Sequence, residues 1–123
     1  MAGERVLVVD DNAVNLKLAR IVLEEADYDV RTATEAESAI ELVASFQPTL
    51  ILMDLQLPGV NGLELTRRLK ADPARAQIVI VALTAYAMKG DDDKAFAAGC
   101  DGYITKPIDT IELPLQVARY LRR

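Results

Sequence analysis

The chain has 123 residues, 51% of them hydrophobic, and carries 19 acidic against 14 basic side chains for a net charge of −5. That length and composition predict one globular domain, residues 1–123, able to bury a core without disulfide or structural metal, and the acidic balance (pI about 4.7) argues against a nucleic-acid partner. The absence of histidine excludes serine-triad, zinc-hydrolase and imidazole-base chemistry, and a lone cysteine, Cys100, excludes an internal disulfide.

In chain order, short β-rich runs alternate with segments of helical period, and no internal repeat appears. Val6-Leu7-Val8-Val9 reads as the first strand. A helix is predicted from Val14 to Ala26. Its charges Lys17, Arg20 and Glu24 fall at i, i+3 and i+7, one narrow wet stripe on a mostly buried helix. Tyr28 to Ala33 reads as the second strand. Thr34-Glu35-Ala36-Glu37 has the capping-box form, and the helix it opens carries Ala36, Ile40 and Val43 on one face, with Pro48 ending the unit.

Leu50-Ile51-Leu52-Met53 is apolar without alternation, which is how a strand buried on both faces of a parallel sheet reads. After a loop holding Pro58, Gly59 and Gly62, Leu65 and Leu69 line a short helix that ends before Asp72-Pro73. Ile78 to Leu83 is a second doubly buried run. Asp91 to Ala98 reads as a helix with three acids in its first turn, closed by Gly99 as a left-handed cap. Tyr103-Ile104 is the last strand. Asp109-Thr110-Ile111-Glu112 resembles a capping box, but it would set Pro114 one turn inside the helix. The expectation is a separate turn at 109–112 and a main helix from near Pro114. No run approaches the roughly 20 apolar residues of a membrane span. No cleavage-site pattern follows Met1, and with the lone Cys100 a reducing, cytoplasmic location is expected. Five βα units without a hairpin signal imply an α/β fold, a doubly wound parallel sheet with helices on both faces.

In such sheets ligands sit beyond the carboxyl ends of the strands. The first strand ends in Asp10-Asp11, the third in Asp54, the fourth in Thr84-Ala85, and Lys106-Pro107 follows the fifth. Each has a plain structural reading: Asp10 and Asp11 as helix caps, Asp54 as a loop-starting acid, Thr84 as a strand-end hydroxyl, Lys106 as a surface charge. Together they make a chemical constellation. Three close carboxylates repel and call for a cation. Mg²⁺ suits few protein ligands because it keeps several waters. Lys106 would neutralise an incoming anion, a phosphoryl group in company with Mg²⁺, and a carboxylate can act as nucleophile to give an aspartyl phosphate. Thr84 would donate to a phosphoryl oxygen.

At these residues the sequence resembles the receiver domains of two-component response regulators, the CheY-like family. The matching pieces are Val8-Val9-Asp10-Asp11-Asn12, Leu52-Met53-Asp54-Leu55-Gln56-Leu57-Pro58-Gly59, Ala82-Leu83-Thr84-Ala85 and Tyr103-Ile104-Thr105-Lys106-Pro107. The stretch Ala85-Tyr86-Ala87-Met88-Lys89-Gly90-Asp91 is most similar to single-domain regulators of the DivK kind and to hybrid-kinase receivers. The resemblance implies a flavodoxin-like fold with strand order 2-1-3-4-5. It implies that Asp54 accepts phosphate from a histidine of a partner kinase or phosphotransfer protein. Asp11, Asp54 and the backbone carbonyl of Gln56 would bind Mg²⁺, with Asp10 helping through water. Thr84 and Tyr103 resemble the family's switch pair, and Lys106 its phosphate-binding lysine, with a cis bond to Pro107. Gln56 and Tyr86 border the phosphoryl site and would set the lifetime of the adduct.

The expected function is a phospho-activated switch, not a turnover enzyme. Phosphorylation would reshape the surface of the 91–98 helix, the last strand and the last helix, and output would pass to a downstream effector protein. The expected state is a monomer or a phosphorylation-dependent dimer, with neither nucleic acid nor membrane as partner. The competing readings are a receiver excised from a longer hybrid kinase or cyclase, a Mg²⁺-dependent phosphohydrolase, and a degenerate receiver that only binds proteins. Gln56 stands where such a phosphohydrolase wants a second acid. Asp91, Asp92 and Asp93 are assigned to a helix N-terminus, Arg119, Arg122 and Arg123 to a helix C-terminus, and Cys100 to packing without a redox role.

Overall fold

A computed structural model describes residues 3–55, 62–84, 95–106 and 108–122. In order these are β1 (Arg5–Val9), α1 (Ala13–Glu25), β2 (Asp29–Ala33), α2 (Ala36–Phe46), β3 (Leu50–Asp54), α3 (Gly62–Ala71), β4 (Val79–Thr84), β5 (Gly102–Thr105) and α4 (Glu112–Leu121). Residues 95–97 are also helical. The strands pair in parallel in the order β2-β1-β3-β4-β5, the flavodoxin-like arrangement that the resemblance implied.

The unpatterned apolar runs are central strands for a physical reason. Successive side chains of a strand point to opposite faces, and here both faces are covered. Leu7, Val9, Ile51, Met53, Ile80 and Ala82 pack against Ala36, Ala39 and Val43 of α2 and Leu65 and Leu69 of α3. Val6, Val8, Leu50, Leu52, Val81 and Leu83 pack on the other side against Leu16, Ala19 and Leu23 of α1 and Leu113 and Val117 of α4. Every residue of β3 is buried. Each such Leu, Ile or Val contributes about 1.5–3 kcal/mol, so the three inner strands form a rigid base for whatever their ends carry. Among the described residues no helix is long and apolar enough to cross a membrane.

The starts of α1 and α2 differ from expectation because a neighbouring residue takes the cap, and the expected turn at 109–112 is present. Asn12, not Asp10 or Asp11, caps α1: its side chain accepts from the N–H groups of Val14 and Asn15 at 2.9 and 3.1 Å. α1 buries only Leu16, Ala19 and Leu23, and Val14 is 74% exposed, so its wet face is wider than one charged stripe. The capping box at Thr34 does not form. Glu35 takes the cap position with no side-chain bond, and its carbonyl receives the Ala39 N–H and the Ser38 hydroxyl instead. Ala39, not Ile40, completes the buried stripe of α2 with Ala36 and Val43. α4 starts at Glu112, two residues before Pro114, which lies within the first turn where N–H groups have no helical partner anyway. Asp109 caps the preceding turn through Ile111 and Glu112 at 2.9 and 3.1 Å.

Gly99 closes the helical turn at 95–97 as expected. It has φ +107°, and the Gly99 and Cys100 N–H groups donate to the Phe96 and Ala95 carbonyls, the Schellman pattern. Cys100 is buried, 3.9 Å from the Thr66 hydroxyl, and burial pushes its thiol above the ordinary value. Since the thiolate is the reactive form, the native chain should resist a thiol reagent near neutral pH and react fully once denatured. Rapid stoichiometric labelling of the native chain would contradict this placement.

Candidate functional site

β1 and β3 are neighbours with Val9 opposite Met53, so the next rung sets Asp10 beside Asp54. Asp10 and Asp54 are buried and Asp11 is exposed. One carboxylate oxygen from each of the three lies within 4.8 Å of the others. On the other side of β3, Asp54 pairs with Leu83 of β4, and Thr84 pairs with Thr105 of β5. Lys106 follows directly, its N–H donating to the Thr84 carbonyl at 2.7 Å. The strand register thus carries the ammonium of Lys106 back over the acids. Its Nζ lies 2.8 Å from Asp10 Oδ2 and 3.4 Å from Asp54 Oδ2.

Burial works against the Lys106 charge, but the hydrogen bond to Asp10 and the charges of Asp54 and Asp10 outweigh it, leaving the ammonium with a raised pKa. Asp10 is held from several directions. Its N–H donates to the Ala33 carbonyl at 3.1 Å, its Oδ1 accepts from the Asn12 N–H at 2.9 Å, and Asn15 Nδ2 donates to Oδ2 at 3.5 Å. Asp54 is braced from behind by α3. A Cβ at Gly62 would collide with the Asp54 carbonyl oxygen, so glycine lets the helix start directly against the strand end. Thr66 then ties that turn, its hydroxyl donating to the Gly62 carbonyl at 2.8 Å.

The structure therefore gathers Asp10, Asp11, Asp54 and Lys106 into one cluster, with Thr84 at the adjoining strand end. Tyr103 stands outside it on β5. The Tyr103 ring meets Phe96 edge-on at 6.2 Å and is 37% exposed, and its carbonyl accepts from the Tyr120 hydroxyl at 3.4 Å. Gln56, Tyr86, Pro107 and Asp91, Asp92 and Asp93 lie outside the described residues. Three further residues, Asn12, Asn15 and Gly62, help build the site without standing among its sequence candidates. Asn12 was legible, because an Asn just before a helical segment is a cap signal. Asn15 and Gly62 act through tertiary approach and leave no local signal.

The donor set fits a hard divalent cation. All three groups offer carboxylate oxygens, and three carboxylates against one ammonium leave a formal charge of −2.

A family model described as the response regulator receiver domain matches residues 6–118. The chain is 40% identical over 116 residues to the polar-differentiation response regulator DivK of Brucella anthropi, a match covering 94% of each. A putative response regulator from Chloroflexus aurantiacus superposes with a TM-score of 0.93 at 30% identity, over 98% of this chain and 99% of that one. The receiver domain of a Pseudomonas aeruginosa sensor histidine kinase, solved with a magnesium ion coordinated in the active site cleft, gives 0.89 at 31% identity over 99% of this chain and all of that one.

Proposed function

The chain belongs to the response regulator receiver domain family, and from that premise we propose that it is a phospho-accepting switch in which Asp54 takes a phosphoryl group from a partner's phosphohistidine. Receiver domains are signalling switches of two-component systems rather than turnover enzymes. The observation that carries the assignment is the position of Asp54. It ends the central strand, is buried to 5% exposure, and has the Lys106 ammonium 3.4 Å from one oxygen. The partner is a histidine kinase or histidine phosphotransfer protein. A single-domain arrangement over residues 1–123 accords with the DivK relatives, whose length the match nearly spans.

The residues divide the work. An Asp54 carboxylate oxygen attacks phosphorus, the bond to the donor imidazole nitrogen breaks, and the imidazole leaves. Lys106 lies where its ammonium can move from the carboxylates onto a phosphoryl oxygen. Thr84 supplies a hydroxyl donor from the neighbouring strand end. Asp10, Asp11 and Asp54, with the Gln56 carbonyl, would hold Mg²⁺, which offsets the charge of the phosphoryl oxygens. Gln56 and Tyr86 would set the lifetime of the adduct, as the family resemblance implies. The test is to incubate the chain with acetyl phosphate and Mg²⁺ and measure intact mass. One alkali-labile phosphoryl group per chain is expected, and none would overturn the reading.

Two further results are expected. Mg²⁺ should raise the melting temperature, since a ligand at 100 times its dissociation constant adds about 2.7 kcal/mol. Asp11→Ala, which removes an exposed ligand without opening the core, should lose most of that gain. An undiminished Mg²⁺ effect in the variant would count against the site. Beryllofluoride, a phosphoryl mimic, should shift amide NMR signals of Thr84 and Tyr103 as well as Asp54, because a population shift between two packings would couple the hydroxyl to the ring. Changes confined to the Asp54 loop would contradict that coupling.

A further inference from the structure

We infer that a cleft at the amino-terminal edge of the sheet, the edge away from the acid cluster, is a second binding site and takes a small organic anion with an apolar body. The inference stands apart from the phosphoryl chemistry. The cleft has a volume of about 400 Å³ and is formed where the end of α2, the starts of β1 and β3 and the 74–78 segment before β4 come together. That volume lies in the range of small-molecule sites, about 300–1,000 Å³.

Its lining is unusual for this chain. The whole carries a net −5, yet Arg5 and Arg75 line the cleft and, among the described residues, no carboxylate does. Arg5 is already oriented, since its Nε donates to the Gln47 carbonyl at 2.9 Å. That contact has an ordinary cause, the attraction of a cation to a helix C-terminus. It uses one donor of five. No other hydrogen bond or ion pair of the Arg5 guanidinium is found among the described residues, which leaves its two terminal nitrogens to form the fork that matches a carboxylate or phosphate. Arg75 is partly offset by Asp72, with Nη1 3.3 Å from Oδ2, so it is the lesser contributor.

The rest of the wall suits an apolar body. Val43, Ala44, Pro48, Ala74 and Ile78 form an apolar part of it, interrupted by the polar Gln47, Thr49 and Gln77. The main chain at its base is satisfied: the Thr49 N–H and hydroxyl donate to the Arg5 carbonyl at 2.9 and 3.0 Å, and the Val79 N–H donates to the Thr49 carbonyl at 3.1 Å. An apolar group resting on that stretch leaves these main-chain groups paired. At the rim Gln47 holds φ +53°, a left-handed conformation uncommon for a residue other than glycine.

The test uses 2-naphthoate as probe, followed by amide NMR on the full chain. Shifts should cluster at residues 43–49 and 74–78, with a dissociation constant near 1 mM as expected of a ligand this small. 2-Naphthalenemethanol, the same body without charge, should bind at least about tenfold more weakly. Arg5→Gln should weaken naphthoate by about tenfold or more and Arg75→Gln by less. Arg5→Lys, which keeps the charge and loses the fork, should fall between and guards against misfolding of the first variant. Equal binding of the alcohol, undiminished binding by Arg5→Gln, or shifts only around Asp10 and Asp54 would overturn the proposal.

Discussion

Asp54→Asn should take up no phosphoryl group from acetyl phosphate and Mg²⁺ while the wild type takes up one. The loss should be complete within detection, because the carboxamide has no nucleophilic oxygen anion. The substitution is close to isosteric, so packing at the end of β3 should survive it. Its effect on the fold should even be favourable without metal, since it removes one of three acids within 4.8 Å of one another. The neighbouring acids are poor substitutes for different reasons. Asp10 has both oxygens engaged, by the Asn12 N–H, by Asn15 and by Lys106. Asp11 is exposed and off the central strand. Intact mass, with the protein folded by circular dichroism, decides the matter. An adduct of equal yield in Asp54→Asn would place the acceptor elsewhere.

The legible parts of this protein are those in which local pattern and tertiary environment ask for the same residue. Leu50-Ile51-Leu52-Met53 reads as a doubly buried strand because burial on both faces abolishes alternation, and β3 is buried throughout. Gly99 reads as a helix stop because a left-handed residue is required there, and it has φ +107°. The acid cluster was legible because α/β sheets present their strand ends on one edge, so Asp10, Asp11 and Asp54 needed only the right strand order to meet. Illegible were the choices between competing local signals. Thr34 and Glu37 have the capping-box form, yet the chain turns at Glu35 because Ala36, Ala39 and Val43 must face the sheet. Asp10 had the chemistry of a cap, but its oxygens serve Lys106 and Asn12 while Asn12 caps the helix. In the sequence Gly62 reads only as part of a loop. Its close fit to the Asp54 carbonyl comes from residues eight apart and has no signature in sequence.

Lys106→Met should destabilise the metal-free protein by about 3 kcal/mol near neutral pH, the scale on which breaking a buried ion pair leaves an uncompensated charge. Methionine keeps the length and apolar stem of the side chain, so the loss isolates the ammonium. The Lys106 side chain is 15% exposed, and its ammonium faces Asp10 and Asp54, side chains that are 1% and 8% exposed. Without it, two buried carboxylates and the nearby Asp11 would confront one another with no cation between them. The sign of the pH dependence follows from the direction of the lysine's shift. Its folded pKa lies above the ordinary 10.5. Its stabilisation is therefore fully present below that value, neutral pH included, and is lost as pH rises through the higher folded value. The wild type should weaken in that alkaline range, and Lys106→Met should lack this contribution. Millimolar Mg²⁺ should narrow the gap between the two proteins, because a divalent ion replaces part of the missing charge. Urea unfolding of both proteins, with and without Mg²⁺, measures all of this. Equal stability of the two proteins without metal would show that the ammonium does not hold the acids together, and its role would then begin only when a phosphoryl group arrives.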